Sequence, residues 1–305
     1  MRKLFGRGER PAVRVQPSEL RPTGELVAHV TIPEELDNVA SAKVELGYDN
    51  TYNYRWAGKA DAALTQGADS LANIGEVGTD YGSERETSDW VAVTATDLQV
   101  DGATLDAGTH ELAFRVPSWA PGSSDERLVR WAVRLAVDRK GRDIETDASF
   151  TVLAPPPDPL PAPGPLERVM GSSTDIDIRL DRTAWRAGET ITGTVIITAP
   201  DEPMPEADVA VVLQLDRLSH PLQRTPGQGQ TYDRERVQLD KRVVLAPGAA
   251  TELPFAITLP ADASPSAEAV HGSLVWYVGV RILYKGFSAH LPERVRRGFV
   301  VYNAG

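Results

Sequence analysis

The 305-residue chain has no cysteine, which removes disulfides, thiolate metal sites, iron–sulfur clusters and cysteine nucleophiles. It has no apolar run long enough to span a bilayer. Its basic start, Met1-Arg2-Lys3-Leu4-Phe5-Gly6-Arg7, is not followed by the apolar stretch of an export signal. Together these point to a cytoplasmic protein. His29, His110, His220, His271 and His290 are scattered, without the spacing that places two imidazoles on one metal, and neither a nucleophile elbow nor a phosphate-cradling glycine loop is present. The chain is therefore expected to hold no catalytic residue, no metal and no cofactor. Positive charge is also short: the net charge is −11, and binding to nucleic acid needs clustered cations facing the phosphates. Between Asp61 and Asp106 ten carboxylates meet one arginine, Arg85, which reads either as a solvated acidic surface or as a docking patch for a basic partner.

What is present is a message given twice. A Gly-Glu step, Gly24-Glu25, leads to Leu112-Ala113-Phe114-Arg115-Val116-Pro117 and on to Trp131-Ala132-Val133-Arg134-Leu135. The order returns as Gly188-Glu189, then Pro254-Phe255-Ala256-Ile257-Thr258-Leu259-Pro260, then Trp276-Tyr277-Val278-Gly279-Val280. Such recurrence marks tandem modules. Asp175-Ile176-Asp177-Ile178-Arg179-Leu180 alternates polar with apolar, the period of a half-buried strand. Thr190–Thr198 is rich in β-branched residues, which favour strands. Val209–Leu215, Val237–Leu245, Glu252–Leu259, Leu274–Leu283 and Gly298–Tyr302 complete about seven strands, the number expected of a sandwich. A turn and charged hairpin are expected between His220 and Arg236. Phe255 and Trp276 are placed in the core.

The expected fold is all-β: two tandem immunoglobulin-like sandwiches joined by a Pro-rich linker. The expected boundaries are a basic N-terminal tip over 1–11, a first sandwich over 12–153, a linker over 154–165 and a second sandwich over 166–305. Proline at nearly every second linker position removes ladder donors and favours an extended path, so the linker acts as a semi-rigid spacer. The first module is longer between equivalent strands, which predicts an insertion over about 57–89, with weak helical periodicity through Ala60, Leu64, Ala68 and Leu71.

The pattern Ala187-Gly188-Glu189-x-Ile191-x-Gly193-x-Val195, with Leu253-Pro254-Phe255-x-Ile257-x-Leu259-Pro260, Ser264-Pro265-Ser266 and Gly272-Ser273-Leu274-Val275-Trp276-Tyr277-Val278-Gly279-Val280, resembles the arrestin-like sandwiches. The resemblance spans residues 172–303, and extends more weakly over 12–153, where the Pro-Phe pair is missing. It implies two sandwiches joined by a hinge, acting as a scaffold or adaptor without catalysis. Bacterial proteins of this shape include the sporulation-control proteins.

Two features suggest how such a scaffold meets others. Tyr48, Tyr52, Tyr54 and Trp56 form an aromatic arm that supplies contact area for a protein partner. Arg2, Lys3, Leu4, Phe5 and Arg7 form a cationic and apolar tip suited to weak contact with an anionic membrane, which would hold the protein peripherally at its inner face. Two rival classes remain open. One is a small-molecule or carbohydrate-binding β-sandwich. The other is a hydrolase using loop carboxylates such as Asp101 and Asp106.

Overall fold

A computed structural model describes residues 10–56, 83–124, 128–286 and 290–304. Among these the chain is all-β. The strands are β1 (Ala12–Gln16), β2 (Glu19–Leu20), β3 (Glu25–Ile32), β4 (Leu36–Asp37), β5 (Val39–Trp56), β6 (Ser83–Asp97), β7 (Thr104–Leu105), β8 (Gly108–Arg115), β9 (Val129–Arg139), β10 (Ile144–Ser149) and β11 (Thr151–Val152). There follow β12 (Leu166–Met170), β13 (Asp175–Leu180), β14 (Ala184–Arg186), β15 (Thr190–Thr198), β16 (Ala207–Ser219), β17 (Gln230–Val243), β18 (Ala250–Thr258), β19 (Ala267–Ala269), β20 (Gly272–Tyr284) and β21 (Glu293–Tyr302). The contacts define two compact units. Unit 1 holds the residues up to Thr51 and Ser88–Ala154; unit 2 holds Tyr52–Thr87 and the chain from Pro155 onward, each as far as described.

Unit 1 sets a three-stranded sheet, β1-β3-β8, against a four-stranded one, β10-β9-β5-β6. Period-two alternation explains the core. Leu26, Ala28, Val30 and Ile32 of β3 point inward and are buried, as are Val44, Leu46 and Tyr48 of β5 and Trp131, Val133 and Leu135 of β9. Unit 2 repeats the plan with β13-β15-β18 against β12-β21-β20-β16-β17. Ile176, Ile178, Ile191, Val195, Phe255 and Ile257 face Val211, Leu213, Trp276, Val278, Val280 and Phe299, all buried.

The duplication is visible bond by bond. The Trp131 indole donates to the Pro121 carbonyl at 2.8 Å, and the Trp276 indole to the Ser264 carbonyl at 2.8 Å. Each indole lies near a phenylalanine, Phe150 at 6.1 Å and Phe299 at 6.5 Å. Ser123 and Val152 exchange two hydrogen bonds, and so do Ser266 and Val301. Val116 N–H donates to Gly24 O, and Leu259 N–H to Glu189 O. These pairs fix the equivalence of the units and correct the alignment of the Gly-Glu steps by one residue. The counterpart of Gly188 is Thr23, and both have positive φ, 83° and 69°. That backbone region suits glycine and is strained for a β-branched residue.

Two elements differ from the strand pattern expected above. β16 and β17 form the expected hairpin, pairing antiparallel with Arg217 opposite Gln230, but its second strand starts at Gln230, so residues 231–236 extend the strand expected from Val237. They lie on the last strand of a sheet, largely exposed, so their charges mimic a loop; register shifts between β16 and β17 further break the alternation. Residues 83–89 likewise belong to β6, while the expected helical periodicity through Ala60 to Leu71 lies outside the described residues.

Candidate functional site

The four aromatic residues of β5 take different positions. Tyr48 is buried in unit 1, its ring 4.9 Å from that of Trp131. Tyr52, in unit 2, is buried with its ring 4.7 Å from His271. Tyr54 is half-buried beneath the Arg224 guanidinium, 4.6 Å from the ring centre. Trp56 is 44 % exposed, with Arg85 stacked on it at 4.0 Å. The backbone around them bonds within unit 2. Asn53 N–H donates to Ser219 Oγ at 2.9 Å, Arg55 N–H to Thr225 O at 3.0 Å and Gly227 N–H to Asn53 O at 3.1 Å. The buried Arg217 guanidinium donates to Glu86 at 2.9 Å. Among the arm's rings, Tyr54 and Trp56 keep accessible surface. Arg2, Lys3, Leu4, Phe5 and Arg7 lie outside the described residues.

The outer face of the larger sheet in unit 2, seven-stranded once β14 beside β21 and β19 beside β20 are included, carries a charge ladder. On it Arg296 donates to Glu167 at 2.7 Å and to Asp216 at 2.6 Å, with its guanidinium 4.0 Å over the Tyr277 ring. Although partial burial opposes its charge, the two carboxylates raise the Arg296 pKa. Burial, with the Glu167 charge, raises that of the Tyr277 phenol. Further along, Asp233 accepts from Gln214 at 2.8 Å and from Arg281. Partial burial works to raise its pKa, but those two donors and the Arg281 charge hold it below the ordinary carboxylate value.

A second charged group is internal. Glu293 is 0 % exposed. It accepts from Arg168 Nη1 at 2.8 Å, from Thr174 N–H and Oγ1–H at 3.0 Å each, and from the Tyr284 hydroxyl. Both carboxylate oxygens accept hydrogen bonds, which is what a buried carboxylate requires. The group fastens β12 and the start of β13 to β21. Sequence reasoning passed over Glu293, yet the signal was there: on β21 it shares a face with the buried Val295, Phe299 and Val301.

The open flank of unit 2 is different. β17 ends one sheet and β18 ends the other. Between them lies a groove of about 470 Å³ lined by Glu235, Val237, Ala256, Leu259 and Pro260 among others. On β18, Pro254 stands where a ladder donor would be, which proline tolerates only at an edge. β17 carries no proline, so its outer main chain keeps its donors and acceptors. The arrangement can take an extended peptide as an added strand, with apolar side chains entering the groove. Among the described residues no group of three histidines or carboxylates is placed to hold a metal ion, and no helix is long and apolar enough to cross a membrane.

An all-β chain of paired sheets with a polar outer face and an open edge belongs structurally with β-sandwich proteins. Residues 166–281, which include the groove, match the model of the Spo0M family, described as SpoOM protein. No curated protein matches the chain.

Proposed function

We propose that the protein is a non-enzymatic adaptor of arrestin-like build, which exerts a regulatory role by holding an extended segment of a protein partner along β17. The single observation that carries this reading is the apolar groove beside a sheet edge with no strand partner among the described residues, within the region that matches the sporulation-control family. Edge charges guard against unselective pairing: Asp233, Arg234, Glu235, Arg236, Asp240, Lys241 and Arg242 crowd β17. A partner strand must therefore match them, which gives selectivity as well as attachment. Main-chain bonds to β17 supply affinity, and Val237, Ala256 and Pro260 supply the apolar contact.

The test is capture from the native cell with the tagged full chain and a Val237→Asp variant. Val237 is half-buried at the groove, so the change places a carboxylate where apolar contact is needed. Loss of the captured protein, with the unfolding midpoint kept, supports the reading. Undiminished capture by the variant refutes it. Amide exchange on the recovered complex should slow along β17.

A further inference from the structure

Among the described residues, the sheet that β12 closes in unit 2 has no closing strand at the equivalent place in unit 1. β12 lies along β21, with Arg168 opposite Val295 and Leu166 opposite Arg297. The equivalent of β21 is β10, as the matched pairs Phe150 with Phe299 and Val152 with Val301 require. Yet β10 ends its sheet, with no strand on its outer edge among the described residues. Beside it is a cleft of about 510 Å³ lined by Arg10, Pro11, Leu36, Arg139, Ile144 and Glu145 among others. The Arg139 Nε is buried there without a hydrogen-bond partner among the described residues.

The occupant follows from the repeat. Val13 pairs with Val30 as Ile178 pairs with Val195, and Leu20 pairs with Val152 as Trp185 pairs with Val301. This equivalence runs without a gap from Gly24 back to Arg10. Continued at the same spacing, Met1-Arg2-Lys3-Leu4-Phe5-Gly6 falls on Leu166-Glu167-Arg168-Val169-Met170-Gly171. Gly6 meets Gly171, which turns the chain after β12 at φ 70°. Leu4 and Phe5 meet Val169 and Met170, and Lys3 meets Arg168. The cross-strand charges fit as well. Glu167 and Arg296 form an ion pair at 2.7 Å; their counterparts are Arg2 and Asp147, the same pair with the signs exchanged. The counterparts of Arg168 and the buried Glu293 are Lys3 and Ile144, and the Glu34 and Glu145 carboxylates line the cleft.

We propose that the cleft along β10 is the docking site for the chain's own first residues, Met1–Gly6, which complete the sheet of unit 1 as β12 completes that of unit 2. The docking is specific because it combines main-chain pairing with the Arg2–Asp147 ion pair and the apolar contact over Ile144.

The absence of native cysteine makes the test clean. In the full chain, Lys3→Cys with Thr146→Cys copies the opposed pair Arg168 and Val295. Directly opposed antiparallel residues have Cα atoms about 4.5–5.5 Å apart, within disulfide reach. Leu4→Cys with Thr146→Cys is one residue out and points to the other face. Mild oxidation should give an intrachain disulfide in the first variant and little in the second. Equal yields, no disulfide in the first, or disulfides only between two chains would each overturn the proposal. A chain beginning at Arg10 should exchange its β10 amides faster with β21 unchanged, and unaltered β10 exchange also overturns it. Flotation with phosphatidylserine vesicles gives the remaining outcome: binding that needs residues 1–9, without the first disulfide, assigns the segment to the membrane instead.

Discussion

Replacing Glu293 with isoleucine, the residue at the equivalent place in unit 1, sets the lock of β12 against its own natural alternative. The substitution removes the acceptor of Arg168, of the Thr174 N–H and hydroxyl, and of the Tyr284 hydroxyl. Breaking a buried ion pair on one side costs about 3–5 kcal/mol. Arg168 keeps the Gly171 and Thr174 carbonyls at 3.1 and 3.0 Å and is one-third exposed, so the lower end, about 3 kcal/mol, applies. Against a total of about 5–15 kcal/mol this is a large loss. Removing both charges, as Arg168→Met with Glu293→Ile, should recover most of it, because an apolar pair of similar volume needs no desolvated partner. Urea unfolding of the wild type, both single variants and the double variant gives the coupling, expected at about 2 kcal/mol. Amide exchange along β21 locates the loss in unit 2. The Tyr284 phenol supplies an independent sign: burial and the Glu293 carboxylate raise its pKa, so Glu293→Ile should bring its ultraviolet titration down toward the ordinary value. A cost below about 1 kcal/mol, or additive single and double changes, would refute the reasoning.

Thr23→Gly should stabilise the chain by about 1 kcal/mol, read by thermal unfolding, because it releases a β-branched residue from positive φ; an unchanged or lowered midpoint counts against that strain. Asp233 has a depressed pKa in the fold, so its contribution is present above its unfolded value and is lost as pH falls through the folded one. Asp233→Asn should accordingly flatten the loss of stability between neutral pH and the acid side, and an identical acid profile would show that the carboxylate contributes nothing. Trp276→Ala should cost about 3–5 kcal/mol in urea unfolding, given its full burial and its bond to Ser264; a cost below about 1 kcal/mol would contradict its place in the core. A fragment from Pro155 to the end should fold by circular dichroism but with a lower midpoint than the full chain, since it lacks the partners of Ser219, Thr225 and Arg217; an unchanged midpoint refutes the contribution of residues 52–87.

Period-two burial made much of the fold legible. Ile176, Ile178, Phe255 and Trp276 all lie where alternation and turn residues put them. Residues that answer to partners far along the chain were harder to read. Glu293 looks like one more charge beside Arg294, and only its face on β21, shared with Val295 and Phe299, reveals it as internal. β12 was hidden because Leu166-Glu167-Arg168-Val169-Met170 follows a run of prolines and lacks clean alternation; it becomes a strand through β21. Tyr52 was legible as aromatic and in a strand, but its contact with His271 depends on residues more than two hundred positions away. The groove between β17 and β18 belongs to no motif at all, being the space left where two sheets end.

The matched hydrogen bonds of the two units also set a problem of folding fidelity. Two stretches with the same main-chain pattern in one chain can exchange strands while folding, a failure typical of repeated domains. Here side chains act as labels. β10 brings Asp147 opposite Arg134, with Arg130 donating to it at 2.8 Å. Were β21 to take that place, Arg296 would stand opposite Arg134 and the Arg130 pair would be lost. Like charges set directly opposite destabilise a sheet, so the misplaced strand is rejected by the same ladder that holds the right one. The divergence of charge between copies that agree in their main chain is thus a means of sorting strands, and a variant with these positions made alike should populate swapped forms on refolding.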